Sequence, residues 1–184
     1  MTRRRVMKKV LVISTSLRGD SNSDLLADEF IQGAEAAGNE TEKISLTDKN
    51  IAFCRGCLAC QELGRCVIDD DAIWIAEKME EADVIVYATP IYYYEMSGQM
   101  KTLIDRCNSL FPKDYRFRDI YLLTASAVND ESAADGARNG LEGWIACFPK
   151  AHLAGKVHAG GVEAPGEAAG HPALKKVFEM GKNV

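Results

Sequence analysis

Short, uninterrupted apolar runs alternate along this chain with segments whose apolar residues recur every three or four positions. The runs KKVLVIS (residues 8–14) and DVIVYAT (residues 83–89) are typical of strands that are buried on both faces. Between them, Leu26, Phe30 and Ala34 follow the spacing of one helix face. Strand and helix patterns alternate about five times, which predicts a parallel sheet covered by helices on both faces.

The order of these patterns defines one domain. Predicted strands cover residues 8–14, 40–46, 83–89, 119–126 and 156–162. Predicted helices follow them, with apolar stripes over residues 26–37, 72–82, 96–107, 131–148 and 172–181. No linker, repeat or low-complexity tract interrupts the alternation, so residues 1–184 are expected to form a single domain.

The charge balance argues against a general nucleic-acid binder. The chain has 22 Lys and Arg residues against 27 Asp and Glu residues, for a net charge of −5 spread along the sequence. The one basic cluster, Arg3, Arg4, Arg5, Lys8 and Lys9, leads into VLVIS, which is too short for the apolar core of a signal peptide. No run approaches the roughly 20 apolar residues of a membrane helix. We therefore expect a soluble cytoplasmic protein that binds neither nucleic acid nor membranes.

The segment STSLRGDSNS (residues 14–23) links the first strand to the first helix and is rich in hydroxyl groups. A phosphate needs hydrogen-bond donors, which the free backbone N–H groups at a helix N-terminus supply. Ten residues also exceed the roughly 2–6 that usually join a strand to a helix. Because Gly19 is its only glycine, neither a P-loop nor a dinucleotide-binding loop fits. The simpler alternative is an ordinary N-cap at Ser21 or Asn22.

Two further loops follow predicted strands. TPIYYYEMSGQMKTLIDR (residues 89–106) has three consecutive tyrosines after a proline, which suits a wall for a flat aromatic ligand. Individual tyrosines could instead fill the core or a dimer interface. In TASAVNDESA (residues 124–133), the small residues Ala125 and Ser126 would permit a ring to approach closely. Because ligands of open α/β sheets bind outside the carboxyl ends of the strands, the three loops are expected to form one site.

Two of these loops resemble those of a known family. TSLRGDSNS is similar to the phosphate loop G-S-x-R-x-x-[GS]-N-[TS] of flavodoxin-like NAD(P)H-dependent FMN reductases, with Thr15 in place of the usual glycine. PIYYYEMSGQMKTLIDR resembles the family signature P-[IV]-Y-x-x-x-x-[ST]-x-x-x-K-x-[LF]-[IL]-D-R, and the likeness extends over residues 8–182. The resemblance implies a flavodoxin-like α/β fold, with a five-stranded parallel doubly wound sheet in the order 2-1-3-4-5 and helices on both faces.

The resemblance also implies the residues of an FMN site. The phosphate would be held by Ser16, Arg18, Ser21, Asn22 and Ser23. The flavin ring would lie near Thr89, Pro90, Ile91, Tyr92, Tyr93 and Tyr94, with Ala125 and Ser126 as further candidate contacts.

Other polar residues are given no role as ligands. Lys101, Asp105 and Arg106 match the family signature and are expected on the surface of the helix or at an interface. His152, His158 and His171 are scattered singly and are expected to be surface or strand residues.

Four of the six cysteines form a C-x2-C-x2-C-x5-C motif at Cys54, Cys57, Cys60 and Cys66. In a reducing cytosol such a cluster is more typical of metal ligands or redox thiols than of disulfides. A 4Fe-4S cluster, free or reactive thiols, and structural zinc all remain open, although zinc sites usually separate their cysteine pairs further. The motif is similar to that of iron-sulfur flavoproteins, which carry it between the second strand and the second helix. Cys107 and Cys147 are expected to be buried structural thiols.

The resemblance implies an FMN-dependent oxidoreductase. NADPH or NADH would donate electrons, and FMN would pass them to a small-molecule or protein acceptor without a catalytic side chain. The alternative is an iron-sulfur flavoprotein that exchanges electrons with a ferredoxin-type protein through a 4Fe-4S cluster on the four motif cysteines. A third is a non-enzymatic module that senses redox state through the cysteine loop. The resemblance also implies a homodimer or a higher homo-oligomer.

Overall fold

The computed structural model describes residues 6–184, so Arg3, Arg4 and Arg5 of the basic cluster lie outside the described residues. Its strands are β1 (Lys9–Ser14), β2 (Glu40–Ser45), β3 (Val84–Tyr92), β4 (Glu95–Met96), β5 (Asp119–Ser126) and β6 (His152–Gly160). All but β4 are parallel, in the spatial order β2-β1-β3-β5-β6, whereas the short β4 pairs antiparallel with β3. Counted over the parallel strands alone, this is the order 2-1-3-4-5, so the predicted fold is confirmed.

The helices are α1 (Asn22–Ala36), α2 (Ala59–Leu63), α3 (Ala72–Glu81), α4 (Gly98–Arg106), α5 (Asp135–Ile145) and α6 (Pro172–Lys182). Several boundaries differ from the prediction. β3 continues past Pro90 to Tyr92, and β6 begins earlier than predicted, at His152. A 3-10 turn over Glu131–Ala134 precedes α5, which ends at Ile145. The five-residue α2 lies within the cysteine segment, where only a loop was expected. Within residues 6–184, the helices are too short or too polar to cross a membrane.

The sheet is buried on both faces, which explains why its central strands are continuous apolar runs. Along β1, Val10 and Val12 belong to the core that α1 and α6 cover. Leu11 and Ile13 belong to the opposite core, which contains residues of α3, α4 and α5. Successive side chains of a strand point to opposite faces, so a strand between two helical layers has no polar side.

Helices α1 and α6 pack against each other through two glycines. A Cβ atom at Gly33 would collide with the carbonyl oxygen of Phe178, and a Cβ atom at Gly181 would collide with that of Phe30. Only glycine therefore lets the two backbones approach this closely. The pair forms one cover of the sheet over the strand residues Val10 and Val12.

Candidate functional site

A cavity of about 290 Å³ opens at the carboxyl edge of the sheet. It lies between the loops that follow β1, β3 and β5, and Val162 and Glu163, beyond β6, also line it. The sequence-predicted residues in its lining are Ser16, Arg18, Ser21, Asn22, Ser23, Pro90, Ile91, Tyr92, Ala125 and Ser126. The remaining three, Thr89, Tyr93 and Tyr94, lie outside the lining. The three loops thus form one site.

The N-terminus of α1 forms the polar end of the cavity. Ser21 is the N-cap residue, in an extended conformation (φ −66°, ψ 137°). Within the described chain its side chain caps no backbone N–H group, and its hydroxyl instead lies 2.9 Å from that of Ser23. Both serines are buried. The N–H groups of Asp24 and Leu25 donate to the carbonyl of Ser21, which leaves those of Asn22 and Ser23 available to an anion that the helix dipole also favours.

Asn22 and Arg18 hold the segment after β6 against this loop. Asn22 Nδ2 donates to the carbonyl of Ala164 (2.9 Å), and the N–H of Ala168 donates to Asn22 Oδ1 (2.9 Å). Arg18 Nη1 donates to the carbonyl of Glu163 (2.9 Å). The Asn22 amide is thus engaged on both sides within the protein. We infer that its side chain shapes the site, while its backbone N–H belongs to the anion-binding turn.

A buried hydroxyl network joins the loop after β1 to the loop after β3. Ser97 Oγ donates to Thr15 Oγ1 (3.0 Å), and Thr15 Oγ1 donates to the carbonyl of Ala88 (3.1 Å). The Ser97 N–H donates to Thr89 Oγ1 (3.0 Å), and Ser97 Oγ caps α4 by accepting from the N–H of Met100 (3.2 Å). Thr15, which replaces the family's usual glycine, therefore fixes the spacing of the two loops.

The three tyrosines form the end of a tight hairpin between β3 and β4. Tyr93 and Tyr94 have positive φ angles of 51° and 65°, as a two-residue type I′ turn requires. This conformation costs a non-glycine residue roughly 1–2 kcal/mol. Tyr93 is 100% exposed, and Tyr94 is also exposed. Tyr92 lines the cavity, whereas Tyr93 and Tyr94 lie outside it and face solvent.

The residues present fit a cofactor that combines a phosphate with a flat ring. The open turn of α1 suits the phosphate, Pro90, Ile91 and Tyr92 supply a wall for the ring, and Ala125 leaves space beside it. A volume of about 290 Å³ is close to the roughly 300–1,000 Å³ of typical ligand sites. FMN has this combination of groups.

A second cavity, of about 350 Å³, lies along the cysteine segment. Its lining includes Cys54, Cys57, Cys60, Cys66 and also Cys147. The backbone passes through positive φ at Gly56, Leu58 and Gly64, which wraps the segment tightly. The N–H of Gly56 donates to Cys54 Sγ (3.4 Å), and Asn108 Nδ2 donates to Cys60 Sγ (3.3 Å). Such hydrogen bonds stabilise negative charge on sulfur, as in bound thiolates.

The placement of these thiols bears on which metal they suit. Within residues 6–184, no three Cys, His, Asp or Glu side chains are grouped closely enough to hold one metal ion. Structural zinc needs four ligands at about 2.0–2.3 Å from a single ion. A 4Fe-4S cluster takes four cysteines, one on each iron, so its sulfurs need not converge on a point. Four thiols around one cavity therefore fit the donor chemistry of a cluster.

A buried ion pair holds the base of the cysteine segment. Arg106 is 2% exposed, and its guanidinium donates to both carboxylate oxygens of Asp70, at 2.6 and 2.9 Å. It also donates to the carbonyl of Ala52 (2.7 Å), before the first cysteine, and to that of Ile68 (3.1 Å), after the last. One side chain thus joins the two ends of the segment.

The prediction that Arg106 lies on the helix surface or at an interface is wrong. Its partner Asp70 lies 36 positions earlier in the chain, and no local pattern indicates that the two meet. Lys101 and Asp105, in contrast, form an exposed ion pair on α4, as predicted.

The ion pair is charged on both sides. Burial raises the pKa of Asp70, but hydrogen bonds from Arg106 and from the N–H groups of Ala52 and Ala72 outweigh it, so the pKa lies below its ordinary value of 3.8. Burial lowers the pKa of Arg106, but Asp70 and the Cys66 sulfur together raise it above its ordinary value. A buried cation therefore stands beside one of the four motif thiols.

The two cysteines outside the motif differ from each other. Cys107 is buried in the core, with its sulfur 3.5 Å from that of Met79, and burial raises its pKa to about 12. The prediction of an inert core thiol is confirmed for Cys107. It is wrong for Cys147, which is exposed just beyond α5 and lines the cysteine cavity.

Comparison with known proteins agrees with this description. The sequence profile of the NADPH-dependent FMN reductase family matches residues 8–163. An iron-sulfur flavoprotein of Archaeoglobus fulgidus is 30% identical over 182 residues, covering 96% of this chain and 78% of that protein. An iron-sulfur flavoprotein of Methanocaldococcus jannaschii is 44% identical over 102 residues, covering 55% of this chain but only 53% of that protein, about half its length.

Solved structures show the same fold. An NAD(P)H:quinone oxidoreductase from Methanothermobacter marburgensis superposes with a TM-score of 0.75 at 15% identity, over 97% of this chain and 96% of that one. An azoreductase from Bacillus anthracis gives a TM-score of 0.72 at 17% identity, over 97% and 100% of the two chains. With the family profile matching most of its length, the chain belongs to the flavodoxin-like NADPH-dependent FMN reductase family, to which the iron-sulfur flavoproteins are related.

Proposed function

We propose that the protein is an FMN-dependent oxidoreductase that takes electrons from NADPH or NADH and passes them to a small-molecule or protein acceptor. The observation that carries the proposal is the cavity at the carboxyl edge of the sheet, where an open helix N-terminus meets an apolar and aromatic wall. Membership of the FMN reductase family supports the same activity.

The chain's own residues would bind and orient the cofactor. FMN, when bound, supplies the redox chemistry at its ring. The backbone N–H groups of Asn22 and Ser23 and the hydroxyls of Ser21 and Ser23 would hold the phosphate. Pro90, Ile91 and Tyr92 would cover the ring and exclude water from it. No acid or base from the protein is required, so we assign no catalytic side chain.

Titration of the cofactor-free protein with FMN tests the site. We expect binding at micromolar concentration or below, and reduction of the bound flavin by NADPH or NADH without oxygen. Arg18→Ala should weaken binding about 10-fold if its guanidinium contributes a charge-assisted hydrogen bond. Arg116→Ala is the control, since Arg116 pairs with Asp83 beside the amino ends of the strands.

The two parts of the proposal can fail separately. If no flavin binds at micromolar concentration, the assignment of the cavity is wrong. If FMN binds but neither nicotinamide reduces it, the cavity assignment holds and the donor assignment fails.

A second function, electron transfer through a 4Fe-4S cluster on Cys54, Cys57, Cys60 and Cys66, is favoured by the cavity that these four thiols share. The names of the iron-sulfur flavoproteins similar to this chain support it. Anaerobic purification followed by iron and sulfide analysis is the test, with about four of each per chain expected. Cys60→Ser should lose the iron, whereas Cys147→Ser, which changes a thiol of the same cavity outside the motif, should retain it. Iron-free protein with four titratable motif thiols would favour the free-thiol alternative.

We further propose that the protein acts in the cytoplasm as a homodimer and that a ferredoxin-type protein serves as partner if the cluster is present. The exposed Tyr93 and Tyr94 support an interface, because aromatic side chains are enriched there. Light scattering should give twice the chain mass of 20.2 kDa, and a monomer at micromolar concentration would contradict the dimer. Mixing with reduced ferredoxin under anaerobic conditions should bleach the cluster absorbance if that protein is the partner.

A further inference from the structure

His158 lies next to the cavity at the carboxyl edge of the sheet, which is lined in part by Ser126. It lies on β6 opposite Thr124 of β5, in the parallel register of the two strands. Its Nδ1 is 2.9 Å from Thr124 Oγ1, and its Nε2 is 3.1 Å from Ser126 Oγ. Ser126 itself lines the cavity, so the imidazole contacts a side chain that faces the ligand.

The hydrogen-bond acceptors around Thr124, His158 and Ser126 determine where the protons of these three side chains lie. Ser126 Oγ is 2.8 Å from the carbonyl of Val128, which can only accept, so the serine donates its proton there. Ser126 Oγ must then accept from His158, which places a proton on Nε2. A neutral imidazole has a bare Nδ1, and the hydroxyl of Thr124 donates to it. The neutral Nε2–H tautomer thus gives Thr124, His158 and Ser126 a hydrogen-bond partner for each proton.

A second proton on the imidazole would disturb this arrangement. Nδ1–H would force Thr124 Oγ1 to accept, and the threonine proton would turn to the carbonyl of Val157, 3.4 Å away, which is a poor hydrogen bond. Burial lowers the pKa of His158, and His171 and Lys156 lower it further, against the opposing effects of the Val128 carbonyl and Glu131. Lys176 lines the small cavity on this side of the ring together with Lys156 and Glu131. The ring is thus neutral at pH 7.

We propose that His158 is a positioning residue that, together with the Val128 carbonyl, holds the Ser126 hydroxyl in the orientation that presents a lone pair to the cavity at the carboxyl edge of the sheet. The proton of Ser126 is committed to Val128, and one lone pair receives the proton of His158, so only a lone pair remains for a ligand. Ser126 therefore selects a ligand that presents an N–H or O–H group at this point, such as the imide N–H or a ribityl hydroxyl of a flavin. This role rests on the proposed FMN function.

Two measurements test the proposal, and the first needs no cofactor. Nitrogen-15 NMR of the histidine-labelled, cofactor-free protein at pH 7 should show His158 as the neutral Nε2–H tautomer. A protonated Nδ1, in either the other neutral tautomer or the imidazolium, would overturn it. Absence of FMN binding by the wild-type protein would refute the proposed function while leaving this result intact.

The second measurement is a double-mutant cycle on FMN affinity. Ser126→Ala removes the hydrogen bond to the ligand and should weaken binding about 5–10-fold. His158→Phe releases the Ser126 hydroxyl from its orientation and should weaken binding by up to the same factor, and the double variant should bind no more weakly than Ser126→Ala alone. Additive effects, or no effect of His158→Phe, would overturn the coupling. His152→Phe makes the same change at an exposed position of the same strand and should leave affinity unchanged. If His158→Phe does not fold, His158→Gln, whose amide can donate to Ser126, should retain more of the affinity than His158→Ala, and equal losses would overturn the proposal.

Discussion

Replacing Asp70 by alanine would leave the buried guanidinium of Arg106 without its counter-charge. The two side chains are 3% and 0% exposed, and their closest atoms are 2.6 Å apart. Removing one partner of a buried ion pair costs about 3–5 kcal/mol, because the remaining charge stays desolvated. For a chain of about 150–250 residues, 1 kcal/mol corresponds to about 2–4 °C, so Asp70→Ala should lower Tm by roughly 6–20 °C. Calorimetry and urea unfolding at pH 7 measure this loss.

Asp105→Ala is the matched control for this variant. It makes the same substitution beside Arg106 on α4, but Asp105 pairs with Lys101 where both are about half exposed. Such a pair contributes about 0.3–0.5 kcal/mol, so Tm should change little. Hydrogen exchange should also rise across residues 52–68 in Asp70→Ala and stay at the wild-type level in the control. Equal melting of the two variants would refute the assignment of a clamp to Asp70 and Arg106.

The same ion pair predicts the acid stability of the protein. The pKa of Asp70 is lower in the folded chain than its ordinary value of 3.8. Its contribution is therefore present in full above that ordinary value and is lost as the pH falls through the lowered, native value. Asp70→Asn lacks this titration, so the difference in unfolding free energy between wild type and variant should shrink below pH 4. A difference that stays constant from pH 7 to pH 3 would contradict this reasoning.

Three other changes have defined outcomes. Tyr87→Phe should raise the unfolding free energy by about 1 kcal/mol in urea titrations, because the Tyr87 hydroxyl is buried without a partner among residues 6–184; a loss would indicate an unseen partner. Gly33→Ala and Gly181→Ala should each cost about 1–3 kcal/mol through backbone collision between α1 and α6, whereas Gly143→Ala, with open space around it, should be neutral or stabilising. Tyr93→Gly should raise the unfolding free energy by about 0.5–1 kcal/mol, which is the relieved strain minus the entropic cost of glycine, and should therefore raise Tm slightly. An unchanged or lower Tm would argue against strain in the hairpin.

The periodicity of apolar residues was sufficient to predict the sheet, because strands buried on both faces carry no polar residues to obscure them. The apolar signal was weak at both edge strands: β2 is exposed along most of its length, and so is much of the first half of β6. The residues of β6 before 156 therefore lack the continuous apolar signal, and the prediction started the strand too late. The short α2 was missed because five residues hold too few turns for a helical period to emerge.

The candidate site divides in the same way. Loops at the carboxyl ends of the strands could be placed together from topology alone. The inward turn of Arg106 and the contact of His158 with Ser126 could not, since each depends on partners more than 30 positions away that only the packed structure brings together. Residues that form long-range apolar contacts recur along the sequence with the period of a helix or a strand, whereas residues that form long-range polar contacts follow no such period.

The close packing of α1 against α6 has a consequence for how the chain is made. Helix α1 leaves the ribosome early, but residues 37–171 must follow before α6 begins to emerge. At about 5–20 residues per second, this interval is roughly 7–27 s, during which the apolar face of α1 lacks part of its cover. Leu26 and Phe30, which are fully buried in the finished fold, belong to that face. The nascent protein is thus expected to depend on chaperones that bind exposed apolar segments in this interval. A truncated chain that ends before residue 172 should aggregate or be degraded.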